Sequence, residues 1–132
     1  MFLNRLNEEE KKFFLMLAHY VARCDGDFGE EEKIIIQQYC NEMQIDDIEF
    51  NEKEFNLENL LKKMKNSYSQ KIILLELMAL IYADNFLHEK EKEVIEKMCE
   101  IFNIDENLAK TYAQWTKTVM DLYLQGEYLL KI

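Results

Sequence analysis

Two short stretches of this sequence concentrate oxygen ligands. Asp25 and Asp27 precede Glu30, Glu31 and Glu32, and Asp84 precedes Glu89 and Glu91. Carboxylates at such density suit a hard divalent cation, Ca²⁺ or Mg²⁺, which takes oxygen ligands and relieves their mutual repulsion. The candidate metal ligands are therefore Asp25, Asp27, Glu30, Glu32, Asp84, Glu89 and Glu91. The spacing is not that of an EF-hand: counted from Asp25, the twelfth position, which would need a bidentate Glu, is Ile36. The same acids have a second use. Glu in a first helical turn favours the positive end of the macrodipole. With Gly29 and His88 as N-caps, Glu32 and Glu91 fall at N3, where a capping-box glutamate reaches back to the N-cap N–H. Both readings stay open at the level of sequence.

Other reactive side chains carry less. Cys40 and Cys99 lie on apolar helical stripes, where a small hydrophobe is expected, and Cys24 borders an acidic stretch that opposes a thiolate. The odd number and spacing of the three cysteines support neither a disulfide framework nor a zinc knuckle. His19 falls mid-helix as a partly buried polar contact, and Ser67 and Ser69 sit at a helix junction that suits capping. With no Gly-rich phosphate loop and no nucleophile–base pairing, the expectation is a protein that is not an enzyme.

The elements that position these residues are helical. The 132 residues contain three Gly and no Pro, too few for the tight turns of a multi-stranded sheet. Apolar residues make up 48%, enough for one domain to build a core. Capping and periodicity place a first helix from about Glu8 to Arg23, entered through Asn7 with Glu10 three residues on, and a second from Glu30 to about Met43. An acidic connector follows, Gln44 to Asn56, with one short helical turn near Phe50. A third helix runs over roughly Leu57 to Asn66, a fourth, capped by Ser69, from Gln70 to Tyr82, a fifth over about Glu89 to Phe102, and a sixth from about Glu106 to Leu124. On the sixth, Leu108, Tyr112, Trp115, Val119 and Leu122 form one stripe. The oily tail with Tyr123, Leu124, Tyr128, Leu129 and Leu130 has to be covered, by the bundle itself or by a docked partner.

Sliding the chain by 59 residues lays Asp25–Asp46 on Asp84–Asp105 with eight identities, among them Glu30 on Glu89, Glu32 on Glu91, Cys40 on Cys99 and Ile45 on Ile104. The expected fold is thus an all-α bundle of about six helices built from a duplicated helix–acidic loop–helix hairpin. Within one domain over 1–132, repeat 1 covers about 8–46, repeat 2 about 70–105, and the C-terminal helix about 106–124. Two such hairpins bury their apolar faces most simply against each other, with the third and sixth helices over the open sides.

Asp25-Gly26-Asp27-Phe28-Gly29-Glu30-Glu31-Glu32 followed by Ile36 resembles the loop pattern A-D-G-x-(apolar)-x-x-x-E-x-x-x-I of the TerB-like proteins, a family named for a bacterial tellurite-resistance protein. Ala83 to Glu91 with Ile95 looks like a degenerate second copy, and the resemblance covers about residues 10 to 120. Cys24 stands where the family has Ala, Asn85 where it has Gly, and Gly29 and His88 where it has Ser. The resemblance implies a helical bundle, divalent-cation binding through the acidic residues, and a place in a bacterial stress-response or envelope-associated assembly.

Charge bounds the partners. Sixteen Lys and Arg against 26 Asp and Glu give −10, which repels nucleic-acid phosphates and favours cations and basic proteins. A protein partner or a second copy of the chain is expected, without direct nucleic-acid contact. The longest oily run, Ile72 to Ala83, is far below the roughly 20 residues of a membrane span. With no signal-peptide pattern at the start, a cytoplasmic location is expected.

Overall fold

The structure, a computed structural model, describes residues 1–24, 28–82 and 88–132. Among these residues every regular element is helical. A short 3-10 turn, Leu3–Arg5, leads into α1 (Glu8–Ala22), α2 (Glu30–Met43), α3 (Leu57–Lys63), α4 (Ser67–Ile81), α5 (Glu89–Phe102) and α6 (Glu106–Leu130).

α1 begins where local chemistry requires. The Asn7 side chain accepts from the Glu10 N–H at 2.8 Å while the Glu10 carboxylate accepts from the Asn7 N–H at 2.9 Å. Two otherwise orphaned donors are satisfied, an arrangement worth about 1 kcal/mol. Phe13, Phe14, Leu17 and Val21 turn inward as the periodicity requires, and Leu15, Ala18 and His19 join them. Seven of the 15 residues of α1 are therefore buried, which makes it a central helix.

α4 is the other central helix. It buries Ile72, Ile73, Leu74, Leu77, Met78 and Ile81, and it packs against α1, α5 and α6. α1 also holds α2, and α3 lies on α5. Glu76 is the one buried carboxylate of α4. It is satisfied by the Met1 ammonium at 2.9 Å and the Phe2 N–H at 2.6 Å, which tie the start of the chain to the core.

Three helix limits differ from expectation. α4 starts at Ser67, and its cap is Asn66, whose side chain accepts from the Ser69 N–H at 3.0 Å. Ser69 is therefore three residues inside the helix as a buried residue, and α3 stops at Lys63 to leave room for the cap. The short turn expected near Phe50 closes just after it, where the Asn51 carbonyl accepts from the Glu54 and Phe55 N–H groups, each at 3.1 Å, and aromatic contacts hold the connector around it. α6 continues past Leu124 to Leu130. Its fully buried residues are Ala109 and Thr116, with Tyr112 and Ala113 packed partly against the core beside them. Small side chains let the α6 backbone approach α4 closely, and that leaves Trp115 at 40% and Leu122 at 59% exposure.

Candidate functional site

The acidic turns between α1 and α2 and between α4 and α5 hold the candidate metal ligands. Asp25, Asp27 and Asp84 lie outside the described residues. Of the others, Glu32 and Glu91 serve as caps: Glu32 Oε2 accepts from the Gly29 N–H and Glu91 Oε1 from the His88 N–H, each at 3.1 Å. Gly29 has no side chain to reach forward, so at α2 the glutamate half of the capping box stands alone. Glu30 pairs with Lys33 at 3.4 Å on the exposed first turn of α2, and Glu89 is exposed on the first turn of α5. Among the described residues, no group of three or more His, Cys, Asp or Glu is placed to hold a metal ion.

The ends of α2 and α5 share one local geometry. Gln44 ends α2 in the left-handed region at φ 57° and Asn103 ends α5 there at φ 54°. In both, the following Ile donates its N–H to a Cys carbonyl five residues back, Ile45 to Cys40 at 3.1 Å and Ile104 to Cys99 at 2.9 Å. This is the hydrogen bond of a Schellman-type stop. Cys40 is buried, and burial first, then Asp47 and Asp46, pushes its thiol up to about 11. Cys99 is partly buried, and its pKa is likewise raised by burial, then by Glu106 and Glu96. Neither thiol is poised as a nucleophile.

A cluster that sequence spacing does not reveal surrounds His19. Arg23 Nη1 lies 2.8 Å from His19 Nδ1, and His19 Nε2 lies 2.8 Å from Asp47 Oδ1. A guanidinium can only donate, so Nδ1 accepts and the imidazole proton sits on Nε2, donated to Asp47. His19 is 4% exposed with both nitrogens engaged, which makes it a structural link and not a base. The Phe50 ring stacks on the imidazole at 5.6 Å, and Arg23 lies over the Phe28 ring at 3.7 Å and the Phe50 ring at 4.8 Å. Burial lowers the Arg23 pKa, and Glu52 and Asp47 oppose that shift. Phe55 stacks on Tyr20 at 4.6 Å. Without a helix of its own, the connector is thus pinned to α1 by rings and one His–Asp bond.

Pinning the connector creates a polar cleft of about 920 Å³ between α1, the end of α2 and the connector. Glu8, Asp46, Asp47 and Glu49 line it with one Lys, Lys12, and of these acids Glu8 pairs with Lys11 at 3.5 Å and Asp47 with His19. The connector itself carries five acids, Asp46, Asp47, Glu49, Glu52 and Glu54, and one Lys. All five are exposed. The run of acids was the available signal. What sequence cannot supply is the fold-back that sets the run beside Glu8, 38 or more positions away.

No described helix is long and apolar enough to cross a membrane. Neither a curated protein nor a solved structure matches the chain. The family model described as tellurite resistance protein TerB matches residues 49–114, which take in the end of the connector, α3 to α5 and the first part of α6. The matched span contains the second acidic turn and not the first, so it is narrower than the loop patterns alone suggest. It covers half of the chain and its helical architecture agrees with the fold described above: the protein belongs to the TerB family.

Proposed function

We propose that this TerB-family chain is a non-enzymatic binding module, acting in a bacterial stress response of the tellurite-resistance type or an envelope-associated assembly, and that it engages a cationic protein segment without a metal. The observation that carries this reading is the acidic cleft, where Glu8, Asp46, Asp47 and Glu49 face one Lys. Carboxylates around a concave surface focus the field and speed the arrival of a basic partner. The connector forming one wall is held by His19, Phe50 and Phe55, so its charges are presented without a further ordering cost.

A lysine- and arginine-rich peptide carrying a fluorophore tests the proposal by anisotropy. Replacing Asp46 and Glu49 by Lys is expected to weaken binding at least about tenfold. Replacing Glu93 and Glu96 on α5 by Lys changes the net charge equally and is expected to cost less than about threefold. Equal losses from both pairs would mean bulk charge and no site, and the proposal would fail.

A second reading is a divalent cation, Ca²⁺ or Mg²⁺, at the two acidic turns. It is favoured by the exposed Glu30 and Glu89 beside Asp25, Asp27 and Asp84 in sequence. Ligand binding to the folded state raises its stability by about 2.7 kcal/mol at a hundredfold excess over Kd. Melting in millimolar Ca²⁺, Mg²⁺, Mn²⁺ or Zn²⁺ decides: a rise that Asp25→Asn with Asp27→Asn abolishes supports a cation site, and no rise removes it.

A further inference from the structure

α6 buries one face and exposes another, and the exposed one has a regular period. Leu108, Tyr112, Trp115, Val119 and Leu122 recur at alternating steps of four and three, and the same alternation continues through Gly126 to Leu129. That is the a/d spacing of a two-stranded helical seam over three heptads. Its first half flanks the face that docks on the bundle through Ala109 and Thr116: Tyr112 packs partly against the core, Val119 is half-buried and the Trp115 ring lies 6.1 Å from that of Phe2, so the open stretch of the stripe runs from Trp115 to Leu129. Leu122 and Leu129 are 59% and 68% exposed, and Leu130 beside them is 89% exposed.

Gly126 is the second observation. A Cβ built there would meet nothing within 4 Å, so nothing in this chain requires a glycine. In a helix interior it costs about 1 kcal/mol against Ala. On a seam, a missing side chain is a hole that a large knob from a facing helix can fill.

We propose that two copies of this chain pair through α6 as an antiparallel seam, with the Trp115 indole of each copy seated on Gly126 of the other. The register follows from the spacing. Antiparallel helices set a positions against d positions, which places Val119 over Leu122, Tyr112 over Leu129 and Gly126 over Trp115. A parallel pair would oppose Gly126 to itself and Trp115 to itself, a void and a clash.

Charge and area point to the same occupant. Residues 106–132 carry three Lys (110, 117, 131) and three acids (Glu106, Asp121, Glu127), so the whole −10 resides in residues 1–105. A second copy therefore meets no like charge at the seam, and the antiparallel arrangement sends the two acidic bodies to opposite ends. The exposed seam side chains with Tyr123 and Leu130 offer on the order of 600 Å² per chain, about 1,200 Å² for the pair, which reaches the lower edge of stable interfaces. The pairing goes beyond the proposed binding role and does not depend on it.

Sedimentation equilibrium from about 1 to 200 μM tests the pairing, together with the emission of Trp115, the single tryptophan. The expected result is a shift from the 16.0 kDa chain toward twice that mass, with a blue shift of the emission over the same range. Leu122→Glu changes an exposed position, so the monomer stays folded, and it is expected to abolish both changes. Gly126→Leu is expected to weaken the dimer at least about tenfold while leaving the monomer's helicity unchanged or raised. A chain that stays monomeric throughout the range assigns the face to some other partner and overturns the proposal. So does a dimer that survives Leu122→Glu, or one indifferent to Gly126→Leu.

Discussion

If Glu32 and Glu91 are helix caps, Gln should replace them at little cost and Ala should not. Each carboxylate accepts one N–H at 3.1 Å, from Gly29 and His88. Gln keeps an oxygen at that position and serves as a capping-box residue in its own right, whereas Ala leaves the N–H without its acceptor. Glu91 is 8% exposed, so Glu91→Ala strands a donor where water reaches poorly, and the cost should be about 1–2 kcal/mol. Glu32 is more exposed, and Glu32→Ala should cost about 1 kcal/mol. For a chain of this size each kcal/mol moves the melting temperature by roughly 3–5 °C. Both Gln variants should lose less than their Ala counterparts, since the acceptor of the hydrogen bond stays and the interaction of the charge with the helix dipole, about 0.3–1 kcal/mol, goes. Thermal and urea unfolding of the four variants, without metal, measures all of this. A Gln variant as unstable as its Ala counterpart would show that charge, not the hydrogen bond, is what the helix start requires, and the capping account would be wrong.

The Met1 ammonium gives a pH signature. Burial opposes the Met1 ammonium charge, but Glu42 and Glu76 outweigh it and raise its pKa above the ordinary 8.0. The stabilisation is therefore complete below about pH 8 and lost as pH rises through the raised value, and urea midpoints of Glu76→Gln with Glu42→Gln should fall less steeply on that alkaline side than those of the parent. In the His19 cluster, Asp47→Ala leaves a buried imidazole N–H unpaired and should cost about 1–3 kcal/mol; a double-mutant cycle with His19→Phe should give a coupling above about 0.5 kcal/mol. On α6, Ala109→Leu should destabilise by about 1–3 kcal/mol by overpacking the face against α4, which equilibrium unfolding at low concentration will show. Phe14→Ala, at a side chain with no exposed surface, should cost about 3–5 kcal/mol in the same assay.

Helix limits were legible where a local rule had one solution. Asn7 with Glu10 is a complete capping box, and α2 and α5 begin where the sequence places them because Glu at N3 opens both, and they end where the apolar periodicity stops. Legibility failed where a rule had two solutions. Asn66, Ser67 and Ser69 can all cap, and Asn66 prevails by accepting from Ser69. On α6 the apolar stripe was legible but not which part of it is covered, since hydrophobicity says what benefits from burial and not how near two backbones can come. Ala109 and Thr116 win the inside because they admit the closer approach to α4. The His19–Asp47 bond spans 28 residues and no periodicity encodes it. Of the candidate metal site, Glu32 and Glu91 were readable as ligands or as caps, and the 3.1 Å bonds show the caps in place.

The two exposed surfaces differ in the force that would fill them, so one variable separates them. Contacts at the acidic cleft are Coulombic and lie near solvent, where a Debye length of about 8 Å at physiological salt already attenuates them and higher salt attenuates them further. The α6 seam carries equal numbers of both charges, and its energy comes from apolar area. Excluded salts such as sulfate strengthen such burial. Added sulfate should therefore release a basic peptide from the cleft while holding or tightening the pair of α6 helices. Because the acidic cleft is lined by α1, α2 and the connector and by no residue of α6, while the open part of the seam runs from Trp115 to Leu129, the two surfaces share no residue and each can be occupied without displacing the other.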